Sequence, residues 1–70
     1  MDRIRVTSQM IRSVGYDKAI RMLEVEFSDA SVYQYKGVEE SVHREMMRSK
    51  SIGQYFIANV KNRYNCDKIA

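Results

Sequence analysis

The residues best suited to chemistry form one basic, hydroxyl-bearing stretch in the second half of the chain, Arg48, Ser49, Lys50, Ser51 and Gly53. Ser51 is a favourable N-cap, and a glutamine three residues later completes a capping-box pattern, so a helix is predicted to begin here. A helix N-terminus offers unpaired backbone N–H groups and a partial positive charge, to which Arg48 and Lys50 add full charges. Gly53 lacks a Cβ atom, so a ligand could approach the first turn closely. The stretch predicts an anion site, and the alternative is an ordinary helix cap flanked by solvated basic residues.

The tyrosines extend this prediction, because a phosphate-bearing ligand also needs contacts for a base or a sugar. Tyr33 and Tyr35 share a strand face and could stack on a base, or they could pack as amphipathic core residues. Tyr16 and Tyr55 are expected beside a turn and beside the helix start, near the phosphate. The predicted ligand-binding residues are Tyr16, Tyr33, Arg48, Ser49, Lys50, Ser51, Gly53 and Tyr55.

Little in the sequence favours catalysis. His43 is the single histidine and Cys66 the single cysteine, and nothing predicts that they meet. A lone histidine at the edge of a helix face is usually structural or solvated. No metal-ligand spacing and no placed pair of carboxylates is present. We therefore expect a protein that is not an enzyme and has no catalytic residues, metal or cofactor.

Hydrophobic periodicity predicts an α+β fold. Residues 20–27 alternate apolar side chains with glutamates and residues 32–36 form a second strand, while imperfect alternation over residues 9–16 indicates a bent or bulged strand. Apolar residues spaced by four then predict a helix from Val38 to about Arg48, and a second helix from Ile52 to about Tyr64. Phe56 and Val60 of this second helix are expected to lie against Leu23, Val25 and Phe27. The expected domain spans residues 1–70: a small antiparallel meander of about three strands, two helices packed on one face, and a frayed tail over residues 65–70.

Size and charge limit the possible partners. Seventy residues make one marginally stable domain, and a meander covered on one face leaves the other open, so we expect a homo-oligomer, a dimer or a tetramer. Residues 41–70 carry six Lys/Arg and two Asp/Glu, a net charge of +4, which favours an anionic partner near the helices. No apolar run is long enough for a membrane span and no signal peptide is visible, so a cytoplasmic location without a membrane partner is expected.

Several segments, in their order and spacing, resemble the KTSC domain. They are Val6-Thr7-Ser8 with Met10-Ile11, Val14-Gly15-Tyr16-Asp17, Leu23 to Phe27, Tyr33-Gln34-Tyr35, Ser51-Ile52-Gly53-Gln54-Tyr55-Phe56, and Tyr64. That family is a short module found alone in bacterial and phage proteins and at the C-terminus of some lysyl-tRNA synthetases. The sequence departs from the family at Ala30-Ser31, where a glycine is common, and at Glu39, where a proline is common. The resemblance implies possible RNA binding and no assigned catalytic residues.

Three functions follow from these observations. The first is a non-enzymatic module that binds a phosphate-bearing nucleotide, such as a phage sponge for a cyclic nucleotide immune signal in the cytoplasm of a bacterial or infected host cell. The second is an RNA-binding accessory module, which would need a continuous basic track. The third is a protein-interaction module that uses the open sheet face. A small-ligand pocket needs only a few convergent groups, which favours the first.

Overall fold

Five strands and two helices make up the fold in a computed structural model that describes all 70 residues. The strands form one antiparallel sheet in the order β1-β2-β3-β4-β5. The α+β class is confirmed, although the sheet has two more strands than the three or so predicted. The elements in chain order are β1 (Ile4–Arg5), β2 (Ile11–Asp17), β3 (Met22–Phe27), β4 (Val32–Lys36), α1 (Glu40–Arg48), α2 (Ile52–Asn59) and β5 (Cys66–Lys68).

The two central strands form the predicted hairpin. Leu23 lies opposite Tyr35, and Val25 lies opposite Tyr33, so these four side chains share the face that the helices cover. The turn between the strands contains Ala30 with a φ of 72°. The irregularity predicted in the preceding strand is also confirmed, because the register of β2 against β3 shifts between residues 11 and 13.

Both helices pack on one face of the sheet, as predicted. Phe56 and Val60 join the same buried cluster as Leu23 and Val25, and the half-buried Phe27 packs against that cluster. The predicted contact between the second helix and the central strand is therefore confirmed. The nine buried residues of the cluster are Ile11, Val14, Leu23, Val25, Tyr35, Val38, Met46, Phe56 and Val60.

Each helix is shorter than predicted. Helix α1 begins at Glu40 rather than at Val38, because Gly37 has a φ of 76° and the Val38 N–H donates to the Arg21 carbonyl, which holds this segment on the sheet. Helix α2 ends at Asn59 rather than near Tyr64, because the C-cap residue Val60 leaves helical geometry with a φ of −121°. Asn62, in the turn that follows, adopts a left-handed conformation with a φ of 64°.

The C-terminal tail does not fray, which corrects the prediction for residues 65–70. Residues 66–68 pair with β4, with Cys66 opposite Tyr35 and Lys68 opposite Tyr33. The Ile69 N–H donates to the Val32 carbonyl at 2.8 Å, and a salt bridge of 2.9 Å joins Lys36 to Asp67. These contacts order a segment that has no hydrophobic periodicity of its own.

Polar side chains of the sheet face away from the helices form a connected network. Glu24 is only 5% exposed, and its carboxylate accepts hydrogen bonds from Arg3 and Gln34. Arg3 also donates to Ser13, whose hydroxyl donates to Glu26 at 2.8 Å. The face predicted to be open is therefore partly closed by the chain itself, because its central carboxylate is buried among hydrogen-bonded neighbours.

The N-terminal segment covers part of this outer face. It packs so closely on Gly15 that a Cβ atom there would lie 2.7 Å from the Asp2 carbonyl oxygen, so only glycine fits at this position. A second chain is thus not needed to cover this part of the sheet. A dimer or tetramer stays a prediction. The open sheet face on which it was based is smaller than the sequence suggested.

Candidate functional site

The predicted start of the second helix has the expected cap but not the expected space for a ligand. The Ser51 side chain accepts a hydrogen bond from the Gln54 N–H at 3.2 Å, which confirms the N-cap. Gly53 is buried, and a Cβ atom there would lie 3.4 Å from the Ser8 hydroxyl and 3.5 Å from the Met10 methyl group. The chain itself therefore fills the approach that we expected for a ligand.

The basic residues before this helix lie on an open surface. Arg48 and Lys50 are exposed, and neither takes part in a salt bridge. The Ser49 hydroxyl donates to the Met46 carbonyl at 2.8 Å, so it is used to finish the first helix. None of these three residues lines a cavity.

Two of the predicted tyrosines have structural contacts. The Tyr16 ring stacks on His43, and its hydroxyl donates to the Val38 carbonyl at 2.6 Å. Burial raises the pKa of Tyr16, and the Glu40 carboxylate adds to the effect. Tyr55 is half-buried beside the core, and burial likewise raises its pKa.

An open cavity of about 510 Å³ lies between the turn that joins β3 to β4 and the segment after α2. Four aromatic rings line it. Phe27 contacts Tyr33 and Phe56 edge to face, with ring centroids 5.6 and 5.4 Å apart. Tyr35 lies 5.4 Å from Phe56 and 6.4 Å from Tyr33. Tyr33 and Phe27 are half-buried, so their rings remain partly open to a ligand.

The rim of this cavity, which we call the aromatic cavity, is polar. Exposed residues Lys61 and Asn62 line it on the side of the second helix. Asp29 and Ser31 line it on the side of the hairpin turn, and Cys66 contributes an exposed thiol. Lys61 takes part in no salt bridge, so its ammonium group is available to an anion.

The lining residues are neutral in the buried part of the aromatic cavity and charged at its rim. Burial raises the pKa of Tyr35 to about 12, so its hydroxyl stays protonated. Hydrogen bonds from Ser31 hold the pKa of Asp29 below its usual value, so its carboxylate stays charged. A ligand with an apolar, flat part and one anionic group would match this arrangement.

Of the eight predicted site residues, the structure places only Tyr33 in the aromatic cavity. Tyr16 lines a different cavity, of about 580 Å³, with Lys18, Arg21 and Arg44 among its other lining residues. Sequence reasoning missed Lys61 and Asn62, since it treated the segment after the second helix as more helix. It also assigned no binding role to Asp29, which lies in the turn between β3 and β4. An asparagine after a helical turn is a possible C-terminal cap, and this signal could have placed Lys61 and Asn62 in a loop.

Two further observations bear on the possible chemistry. No group of three His, Cys, Asp or Glu side chains lies close enough together to hold a metal ion. Neither helix has the length and apolar character needed to cross a membrane.

Comparison with known proteins gives a family and three relatives. The KTSC domain family matches residues 7–64. A crystal structure of a KTSC domain protein from Yersinia pestis aligns with a TM-score of 0.96 at 40% identity, covering 99% of this chain and 97% of that one. An uncharacterized protein of Stutzerimonas stutzeri is 38% identical over 56 residues, which are 80% of this chain and 79% of that protein. A lysine–tRNA ligase of Nostoc punctiforme is 25% identical over 67 residues, which are 96% of this chain but only 12% of the ligase.

Proposed function

The chain belongs to the KTSC domain family, and we propose that it is a non-enzymatic module that binds a phosphate-bearing nucleotide in the aromatic cavity. The observation that carries this proposal is the combination of four aromatic rings with an unpaired lysine at the rim of one cavity. Aromatic faces stack on any base, and an ammonium group binds phosphate as a point charge. The volume of about 510 Å³ lies in the usual range for small-molecule sites, roughly 300–1,000 Å³.

In this proposal the base packs against the half-buried rings of Phe27 and Tyr33, and the phosphate binds the Lys61 ammonium group. The side-chain amide of Asn62 lies on the same rim and can donate to a phosphate oxygen. The phosphate position thus differs from the helix start predicted from sequence, where Gly53 is buried against Ser8 and Met10.

The placement of the histidine and the cysteine supports a binding role without turnover. His43 stacks against Tyr16 and does not line the aromatic cavity, whereas Cys66 does. The aromatic cavity therefore lacks the imidazole base that commonly activates a cysteine nucleophile. Binding without turnover suits sequestration of a nucleotide signal in the cytoplasm, the role that we propose for such a module.

Calorimetric titration with nucleoside monophosphates and with a cyclic dinucleotide tests this proposal. Lys61→Gln removes the proposed phosphate contact, and Lys50→Gln is the matched control at the helix start. Because hydrogen bonds to charged groups contribute roughly 1.5–3 kcal/mol, Lys61→Gln should lower affinity about tenfold or more, while Lys50→Gln leaves it unchanged. If only Lys50→Gln lost affinity, the phosphate would instead bind at the start of the second helix. If no nucleotide bound to the protein, the proposal would be rejected.

RNA binding is the second candidate, favoured by the similarity to a segment of a lysine–tRNA ligase and by the +4 charge of residues 41–70. Titration of a labelled single-stranded oligonucleotide at several salt concentrations separates the two candidates. An RNA module would bind the oligonucleotide with a steep dependence on salt and would not bind a mononucleotide. Saturable mononucleotide binding with a shallow dependence on salt would favour the small-ligand site.

A further inference from the structure

One carboxylate oxygen of Asp29 is unused at the rim of the aromatic cavity. Oδ1 accepts two hydrogen bonds from Ser31, one from its N–H at 3.0 Å and one from its hydroxyl at 2.6 Å. The second oxygen, Oδ2, has neither a hydrogen bond nor a salt bridge. Since the Ser31 hydroxyl already donates its proton to Asp29, the turn presents hydrogen-bond acceptors rather than donors to the cavity.

Asp29 and Lys61 belong to different walls of the cavity. Asp29 lies in the turn between β3 and β4, and Lys61 lies just after α2, with the aromatic rings among the other lining residues. No salt bridge joins the two side chains. The Lys61 ammonium group can therefore bind an anion while the Asp29 carboxylate accepts hydrogen bonds from another part of the same ligand.

With the phosphate at Lys61 and the base on the rings, Asp29 is the one charged lining residue left to contact an edge of the base. Guanine presents two adjacent donors on that edge, the ring N1–H and the exocyclic amino group. Adenine and cytosine instead have an acceptor ring nitrogen beside their amino group, and the lone pair of that nitrogen would face the carboxylate. Hypoxanthine keeps the ring N–H but lacks the amino group.

On the basis of the nucleotide site proposed above, we infer that the aromatic cavity selects guanine nucleotides and that Asp29 is the residue that recognises the base. The carboxylate accepts from the amino group and the ring N–H of guanine. Charge-assisted hydrogen bonds of this kind are stronger than neutral ones. Asp29 is exposed, so the selectivity comes from these hydrogen bonds and not from a penalty for an unpaired carboxylate, which water would solvate.

Calorimetric titration of the wild-type protein with GMP, IMP and AMP tests selectivity without any mutation. GMP should bind about tenfold to hundredfold more tightly than IMP, because IMP lacks one donor to a charged acceptor. Equal affinities for GMP and IMP would overturn the inference and leave the nucleotide site standing. No binding of any of the three would overturn the nucleotide site itself.

Asp29→Asn tests the assignment to this residue. Asparagine keeps an oxygen that can accept from the Ser31 N–H, so the turn and the melting temperature should be preserved. It replaces the free oxygen by an NH₂ group, so GMP affinity should fall to the IMP level or below while AMP affinity rises. Glu45→Gln, an exposed carboxylate on α1 that lines no cavity, is the matched control and should change nothing. A preference for GMP that survives Asp29→Asn would overturn the role of this residue.

Discussion

The ring of Tyr16 lies nearly parallel to the imidazole of His43, with centroids 4.7 Å apart and an angle of 9° between the planes. The stack joins β2 to α1, and the Tyr16 hydroxyl adds a hydrogen bond to the Val38 carbonyl just before that helix. Burial lowers the pKa of His43, and the Glu40 carboxylate opposes this effect without cancelling it. The neutral imidazole is therefore the form that stabilises the fold.

This stack makes stability depend on pH near neutrality. Because the pKa of His43 is lower in the folded state, its stabilising contribution is complete above the ordinary value of about 6.5. It is lost as the pH falls below that value and through the lowered pKa of the folded state. The melting temperature should therefore drop as the pH falls below about 6.5. His43→Phe keeps an aromatic ring but cannot titrate, so its melting temperature should drop less over the same range. Parallel pH curves for the two proteins would contradict the prediction.

Phe56 should be among the most costly core residues to truncate. It is 2% exposed and meets the rings of Phe27 and Tyr35 edge to face. Phe56→Ala should lower the free energy of unfolding by about 3–5 kcal/mol, as measured by urea denaturation. Ile57→Ala is the matched control on the next residue, which is 53% exposed, and should change stability by only about 0.5 kcal/mol. Similar losses for the two variants would show that the buried face of α2 is misassigned.

Arg3 should stabilise the domain more than Arg5, although both lie in the N-terminal segment. Arg3 contacts the buried carboxylate of Glu24, whereas Arg5 forms no salt bridge. Arg3→Ala should cost about 1.5–3 kcal/mol in thermal or urea unfolding, and Arg5→Ala should cost little. Equal effects of the two variants would mean that the network on the outer face does not hold this segment.

The same network predicts how acid affects the domain. Burial alone would raise the pKa of Glu24, but hydrogen bonds from Gln34 and Arg3 outweigh it and lower the pKa. Its contribution is therefore present above the ordinary value and is lost as the pH falls through the lowered one. Arg3→Ala should begin to unfold at a higher pH than the wild-type protein in an acid titration followed by circular dichroism, and an unchanged acid midpoint would exclude this role.

The backbone of Ile69 should matter more than its side chain. Its N–H donates to the Val32 carbonyl, whereas the residue is 50% exposed. Ile69→Pro removes the donor and should destabilise the domain by about 0.5–1.5 kcal/mol or more, while Ile69→Ala keeps the donor. Hydrogen exchange at the amides of β4 should be faster only in the proline variant. Fast exchange there in the wild-type protein would indicate that the tail is frayed after all.

The central strands and the helix cap could be predicted because their signals are local. Alternation around Leu23 and Val25 identifies a strand with one buried face, and Ser51 with Gln54 three residues later identifies a helix start. Both features follow from the period of the backbone or from a single turn. The structure therefore contains both the predicted strand and the predicted helix start.

The short edge strands could not be predicted in the same way. Strand β5 has three exposed residues, and β1 has two, so neither carries a buried face that periodicity could report. Strand β1 is held by its pairing with the adjacent strand β2. Strand β5 is held by hydrogen bonds to β4, which lies far away in sequence, as in the pairing of Lys68 with Tyr33. Local propensity does not include such contacts.

The candidate site was missed for the same reason. Lys61 and Asn62 line the aromatic cavity because the second helix ends early and the chain returns to β4. The predicted helix ran to about Tyr64, so both residues were expected on the surface of a helix. Tyr33 was predicted to contact a ligand, and it lines the aromatic cavity; whether it binds a ligand stays a prediction.

The order of the sheet also limits how the chain can fold. Three of the four strand pairings join strands that follow each other along the chain with no helix between them. The fourth, between β4 and β5, joins strands that are separated by both helices. Closing a longer loop costs more entropy, so this pairing is expected to form late. Because Cys66 begins β5 and also lines the aromatic cavity, one wall of that cavity is completed only in this step. We therefore expect the aromatic cavity to be completed in the same step as the sheet.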